Sequence, residues 1–350
     1  MSNRDVIAIG TSAGGVEALL KLAAKLKPDI PATILVTIHL AAQFRSELDR
    51  LLSRAGPVPA HFARHGERYR RGTIYLAPPD RHLLIDGEHL YLGSGARENN
   101  VRPAIDPMLR SVAMCCGARA IGVVLTGTLD DGASGLWAIE RCGGITVVQD
   151  PQDAAFDEMP LNALNLVKAD HLVALEDLPA LLEKLAREPA GKPMPVPDNI
   201  AFEVKIARGA NGSMDEMDRW GRRSRLACPE CHGVMWEIEE DELLRYRCHV
   251  GHSYSADVMS VALDNNLRQA LAGAVRALEE RVSLTSKLQR DAERRQHRLV
   301  AANWARRANE AQHELEVIRD AMRRIDALRA GELRKEVEDQ GLVPESGPAK

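Results

Sequence analysis

The 350 residues exceed what one hydrophobic core usually organises, so one domain of under about 200 residues plus a second region is expected. The formal net charge of -4, with acids and bases interspersed, leaves no basic stripe for duplex or single strand, which excludes nucleic acid as a partner class. No apolar run reaches the roughly 18 residues of a membrane span, and MSNRDVIAIG lacks the basic-then-apolar layout of a secretory signal, so a cytoplasmic protein without membrane insertion is expected.

In chain order, VIAIG leads into a helical pattern from about Ala13, and ATILVTIHL follows. Further on, AIGVVLTG runs into ASGLWAIERCG and then ITVVQD. Such alternation predicts right-handed βαβ units, and strands that are continuous apolar runs predict a doubly wound, mostly parallel α/β sheet covered on both faces. Between these units, TIYLAPPDRHLLIDGEHLYLG reads as two or three antiparallel strands, an insertion or edge hairpin. PAGKPMPVPD then concentrates proline and glycine and marks a domain boundary. AFEVKIA is read as a short strand, and RGANGSMDEMDRWGRRSR as polar linker.

From about Ala256 the chain is helical. Leu267, Leu271, Val275 or Ala274, Leu278, Val282 and Leu288 form one stripe, and Leu315, Ile318, Met322 and Ile325 another. Two amphipathic helices are expected, broken near Arg294 to Arg298, although no glycine or proline forces the break and one continuous helix is the alternative. The expected domains are 1–190 catalytic, 191–225 linker, 226–256 a cysteine-bearing module, 257–335 helical, and 336–350 a disordered tail.

The first strand runs into Gly10-Thr11-Ser12-Ala13-Gly14-Gly15 and a helix. Small residues around a serine let the chain turn sharply and present the hydroxyl at the carboxyl edge of a sheet, where open α/β sheets bind ligands. A phosphate loop would look similar. The spacing is not G-x-G-x-x-G, however, and the second strand ends in His39 where a dinucleotide site would want an acid for the ribose. A third strand enters Gly127-Thr128-Leu129-Asp130-Asp131-Gly132. Serine, imidazole and carboxylate converging on one sheet edge is the logic of a nucleophile, its base and the base's orienter.

VIAIGTSAGG, the strand ending in His39, RRGTIYLAPPDRHLL, RPAIDPMLRSVA and LTGTLDDGASG together resemble the successive landmarks of the chemotaxis protein-glutamate methylesterase (CheB) catalytic domain, over about residues 5 to 180. The resemblance implies a doubly wound α/β fold and a hydrolase that removes methyl groups from glutamate esters on chemotaxis receptors, with receptor glutamine deamidation in many members. It implies Ser12 as nucleophile, His39 as general base, Asp131 rather than Asp130 as orienting carboxylate, and the backbone N–H groups of Ala13 and Thr128 as the oxyanion site. Methyl-accepting chemotaxis receptors, or related methylated signalling proteins, would be the partners. No cofactor is expected for catalysis. Two departures stand out. Gly127-Thr128-Leu129 replaces the family's Gly-Met-Gly, so that Leu129 would be strained if positive φ is needed, and Phe156-Asp157-Glu158-Met159-Pro160 only loosely follows the family's Met-Pro loop. The chain starts at the first strand of this domain, which implies a form without the receiver domain and control from the C-terminal half or from partners.

Of six cysteines, Cys115, Cys116 and Cys142 sit in apolar or Gly-rich surroundings and read as core filler. Cys228-Pro229-Glu230-Cys231 and Arg247-Cys248-His249-Val250-Gly251-His252 flank a short hairpin, and Cys228, Cys231, Cys248 and His252 make a closed Cys3His set for structural zinc, with His249 as the alternative fourth ligand. A zinc-ribbon-like module follows, too poor in large apolar residues to fold easily without metal. The helical stripes are read as an intramolecular hairpin seam or coiled coil, with a helical partner or self-association through 257–335 as the alternative. Against the esterase stand a catalytically weak signalling adaptor on the same fold, suggested by Thr128-Leu129, and a nucleotide module on Gly10–Gly15.

Overall fold

The computed structural model describes residues 3–39, 46–210, 212–240 and 243–339. The chain separates into two compact units, Met1–Ser260 and Val261–Lys350. In the first, β1 (Val6–Thr11), α1 (Gly15–Lys25), β2 (Thr33–Ile38), α2 (Leu48–Ala55), β3 (Ala60–Phe62) and β4 (Thr73–Leu76) lead to a hairpin of β5 (His82–Asp86) and β6 (His89–Gly93). Next come α3 (Ile105–Cys116), β7 (Ala120–Val124), α4 (Ala133–Arg141), β8 (Ile145–Gln149), α5 (Glu158–Leu166), β9 (His171–Val173) and α6 (Leu178–Arg187). The unit closes with α7 (Asp198–Ala207), α8 (Met214–Trp220), β10 (Arg222–Ala227), β11 (Val234–Glu240), β12 (Leu243–Cys248) and β13 (Ser253–Ser255), after which α9 (Ala256–Arg294) begins.

Seven strands form one sheet in the order β3-β4-β2-β1-β7-β8-β9, and every pairing in it is parallel. β1 and β2 are buried along their whole length because helices cover both faces. One face packs Leu19, Leu22, Leu52, Leu178 and Leu182 from α1, α2 and α6; the other packs Ile105, Met108, Leu109, Val112, Leu136 and Ile139 from α3 and α4. The strand order reverses between β1 and β7, and a ligand crevice is expected there, at the carboxyl ends. Of the segment read as an antiparallel insertion, Thr73–Leu76 joins the parallel sheet, and only β5 and β6 make the hairpin.

Residues 191–225 are not a linker, and AFEVKIA is not a strand. Ile200, Phe202, Val204 and Ile206 mimic strand alternation, yet the segment is α7, and Glu203 among them and Ala207 after them are buried as well. A helix covered on more than one side loses the amphipathic period: Ile200 joins the α3–α4 core, while Phe202 and Ile206 pack with Met217, Trp236 and Ile238. α8 opens on a capping box in which the Ser213 hydroxyl accepts from the Glu216 amide and the Glu216 carboxylate accepts from the Ser213 amide. The charges that look solvated pair with each other, as in Lys205–Glu216 and Arg223–Asp218. β10 to β13 form a four-stranded antiparallel sheet.

In the second unit α9 runs to Arg294, and α10 (Arg298–Asp339) returns antiparallel to it, since Arg268, Glu279 and Arg281 pair with Asp326, Arg319 and Glu314. Leu271, Leu278 and Val282 are half-buried in the seam, as expected, whereas Leu267 is 48% exposed. Helix continues past Glu336 to Asp339, and the rest of the expected tail lies outside the described residues. Among the described residues no helix is long and apolar enough to cross a membrane.

Candidate active site and metal cluster

Ser12 follows β1 directly, half-buried, and Gly14 after it holds φ 75° as it opens α1. A Cβ on Gly14 would also meet the Thr126 and Ala155 side chains at 3.1 Å, so glycine is needed for conformation and for space. The two loops are tied: the Ser12 amide donates to the Thr126 carbonyl at 3.0 Å, and the Thr126 hydroxyl donates to the Ala13 carbonyl at 3.0 Å. Gly127 lies so close to Ser12 that a Cβ there would stand 2.9 Å from the serine Cβ.

The Ser12 Oγ is 2.9 Å from His39 Nδ1, and His39 Nε2 is 2.7 Å from Asp131 Oδ2. An ionised Asp131 only accepts, so Nε2 carries the ring proton and Nδ1 is left to accept from the hydroxyl. The ring faces the serine with the opposite nitrogen from that in the serine proteases. Asp131 is 2% exposed and takes two further donors, the amides of Ile105 at 2.7 Å and Asp106 at 3.1 Å, in the first turn of α3. Both amides belong to the open N-terminus of that helix, where no carbonyl of the helix itself is available to them. The neighbouring Asp130 does not reach His39; burial pushes its carboxyl up to about 6, with Ser255 opposing.

No partner among the described residues accepts from the amides of Ala13, next to Ser12 in the chain, and Thr128, next to Gly127. Leu129 holds φ 65°, the left-handed conformation anticipated for it. Two residues of α5 clamp it: its amide donates to Glu158 Oε2 at 2.6 Å, and its carbonyl accepts from the Asn162 side chain at 2.8 Å. The sequence gives no sign of these clamps.

Behind α3 lies a second feature that the sequence does not announce. Arg110, Arg245 and Arg247 meet Glu98 and Glu203, all at most 3% exposed. Arg110 Nη1 donates to Glu98 at 2.8 Å and Glu203 at 3.3 Å; Arg247 donates to Glu98 at 3.1 Å and with two nitrogens to Glu203; Arg245 reaches Glu203 at 3.2 Å. Burial pushes both carboxyls up, and the surrounding guanidiniums outweigh it and hold them below the usual range.

In the small sheet, one donor atom each from Cys228, Cys231, Cys248 and His252 lies within 4.8 Å of all the others. His252 Nδ1 stands 3.6 Å from Cys228 Sγ and 3.5 Å from Cys248 Sγ, and Cys231 Sγ is 3.6 Å from Cys248 Sγ. A zinc tetrahedron with bonds near 2.3 Å has edges of about 3.8 Å, so these three separations are compatible with one metal ion held between the donors. The other ring nitrogen of His252 faces Glu230 at 3.1 Å, the carboxylate support that metal-bound imidazoles usually have.

A solved structure, that of the Thermotoga maritima CheB methylesterase catalytic domain, superposes with a TM-score of 0.51 at 28% identity, covering 53% of this chain and 100% of that one. A protein-glutamate methylesterase/protein-glutamine glutaminase of Anaeromyxobacter dehalogenans is 38% identical over 183 residues, 52% of this chain and 53% of that protein. A putative enzyme of the same name from Leptospira interrogans is 34% identical over 184 residues, 52% of this chain and 95% of its own length. The chain thus spans about half the length of the first of these relatives and nearly all of the second. The CheB methylesterase profile matches residues 7–182, half of the sequence and the whole of the parallel sheet but one residue, and the chain belongs to that family.

Proposed function

We propose that this chain is a protein-glutamate methylesterase, acting also on glutamine side chains, with Ser12 as nucleophile, His39 as general base and Asp131 as orienting carboxylate. The observation that carries the reading is the unbroken hydrogen-bonded series Ser12–His39–Asp131 at the carboxyl edge of the sheet. The Ser12 oxygen attacks the γ-carbonyl of a glutamate methyl ester while its proton passes to His39 Nδ1. The amides of Ala13 and Thr128 receive the developing oxyanion, each such donor being worth about 100- to 1000-fold in rate. The tetrahedral adduct collapses, methanol leaves with the proton from His39, and a water activated by the same ring releases the glutamate. On a glutamine the leaving group is ammonia. The relatives' names supply the substrate class, and methylated chemoreceptors are the partners that follow from it.

Cys228, Cys231, Cys248 and His252 are proposed to hold one structural zinc ion, which closes the small sheet and takes no part in the chemistry. The adaptor alternative rests on Leu129, and the Glu158 and Asn162 clamps weigh against it by holding the loop in place. Methanol release from a methylated receptor fragment tests the reading. Wild-type turnover that Ser12→Ala abolishes is the expected result; folded wild-type protein that releases no methanol from several receptor fragments would overturn it.

A further inference from the structure

Asp131 and a second buried acid, Asp106, hold each other's helices. Asp131 accepts from the amides of Ile105 and Asp106, in the first turn of α3. Asp106 Oδ1 in return accepts from the amides of Gly132 at 3.0 Å and Gly135 at 2.7 Å, in the opening turn of α4, immediately after Asp131 in the chain. Its other oxygen faces Arg110 Nη2 at 3.4 Å, and the side chains of Asp106 and Arg110 are 4% and 2% exposed. A Cβ on Gly135 would stand 3.1 Å from the Asp106 Cα, so the two helix ends touch at backbone distance.

We propose that Asp106 is a positioning residue of the triad, fixing through the amides of Gly132 and Gly135 the backbone that carries Asp131, and with it the His39–Asp131 hydrogen bond. Without its carboxyl oxygen the two amides would be buried and unpaired, a costly state that the 131–135 turn would relieve by moving. Even about 1 Å of movement at a reacting group costs on the order of 100-fold in rate. Burial, with the Asp131 charge second, pushes the Asp106 carboxyl up to about 8, and the side-chain carbonyl oxygen of an asparagine at this position can accept the same two amide bonds. Asparagine therefore reproduces the group that does the holding; alanine and leucine do not.

The inference rests on the triad reading, and the experiment separates the two. In the full-length protein, the low-field proton resonance of the His39 Nε2–H, assigned by its disappearance in His39→Gln, is followed together with ester turnover. Asp106→Asn is expected to keep the resonance and stay within about threefold of wild-type kcat. Asp106→Ala should lose or shift the resonance and drop kcat by about 100-fold with KM little changed. Asp106→Leu, close in shape to asparagine, stands in should the alanine variant not fold. A folded Asp106→Ala or Asp106→Leu protein with resonance and kcat intact, or Asp106→Asn as damaged as they are, overturns the positioning role. A wild type with neither resonance nor turnover overturns the triad itself, and the role of Asp106 with it.

Discussion

Arg247→Leu isolates what the buried arginine–glutamate cluster contributes. Arg247 is fully buried and donates to Glu98, to both oxygens of Glu203 and to the Gly251 carbonyl. Leucine fills part of its volume but leaves two carboxylates facing Arg110 and Arg245 alone. Stranding buried charge in this way costs about 3–5 kcal/mol, which for a unit of this size lowers Tm by roughly 6–20 °C. The pH dependence tells charge from packing. In the wild type the folded-state pKa values of Glu98 and Glu203 are depressed, so their contribution is present above the unfolded value near 4.5 and is lost only as pH falls through the lower folded values. In the variant the depression weakens, burial gains the upper hand, and both carboxyls protonate in milder acid, relieving the cost. Differential scanning calorimetry of both proteins should therefore show a gap that is widest at pH 7 and narrows toward pH 4.5. A gap below about 1 kcal/mol at pH 7, or one that does not change with pH, would refute the assignment of the cost to stranded charge.

Asp131→Asn should lower kcat by about 10,000-fold with the fold intact, because the neutral amide no longer fixes the tautomer that leaves Nδ1 free to accept; steady-state methanol release measures it. Purified protein should contain about one zinc per chain by elemental analysis, and the double variant Cys228→Ala, Cys231→Ala none; metal-free wild type whose small sheet stays folded by circular dichroism and proteolysis would sink the zinc assignment. Leu129→Gly removes a left-handed penalty of about 1 kcal/mol and adds a similar unfolded-state entropy, so stability should change little. Because Glu158 and Asn162 already clamp the loop, kcat should also stay within about threefold; a large gain would show that Leu129 misplaces the oxyanion donors.

The parallel sheet and the meeting of Ser12, His39 and Asp131 were legible because each of the three residues lies beyond the carboxyl end of a buried-type strand at the same edge, and strand direction alone brings such residues together. The cysteine set was legible from spacing, and the turn at Gly251, with φ 111°, brings His252 rather than His249 to the cluster. Segment 191–225 was misread for two reasons. α7 is apolar on several sides, which erases its period, and the charges around α8 are spent on each other; Ser213 and Glu216, at capping-box spacing, were the overlooked signal. Asp106 gave no signal of its own, since an acid in a helix's first turn is commonplace and its exchange with Asp131 exists only in three dimensions. Nor does spacing announce a glutamate at 98 that meets an arginine at 247.

Glu98 and Arg247 lie 149 residues apart, so at roughly 5–20 residues per second the arginine leaves the ribosome on the order of ten seconds after its partner. For that interval the parallel sheet can form, yet Glu98 and Arg110 wait half-satisfied on the face that the small sheet will cover. Release of the last residues of β12 then turns an open, hydrated patch into sealed interior. A ribosome stalled before Arg245 would display a nascent chain that has every residue of the proposed triad and an unfinished flank beside it.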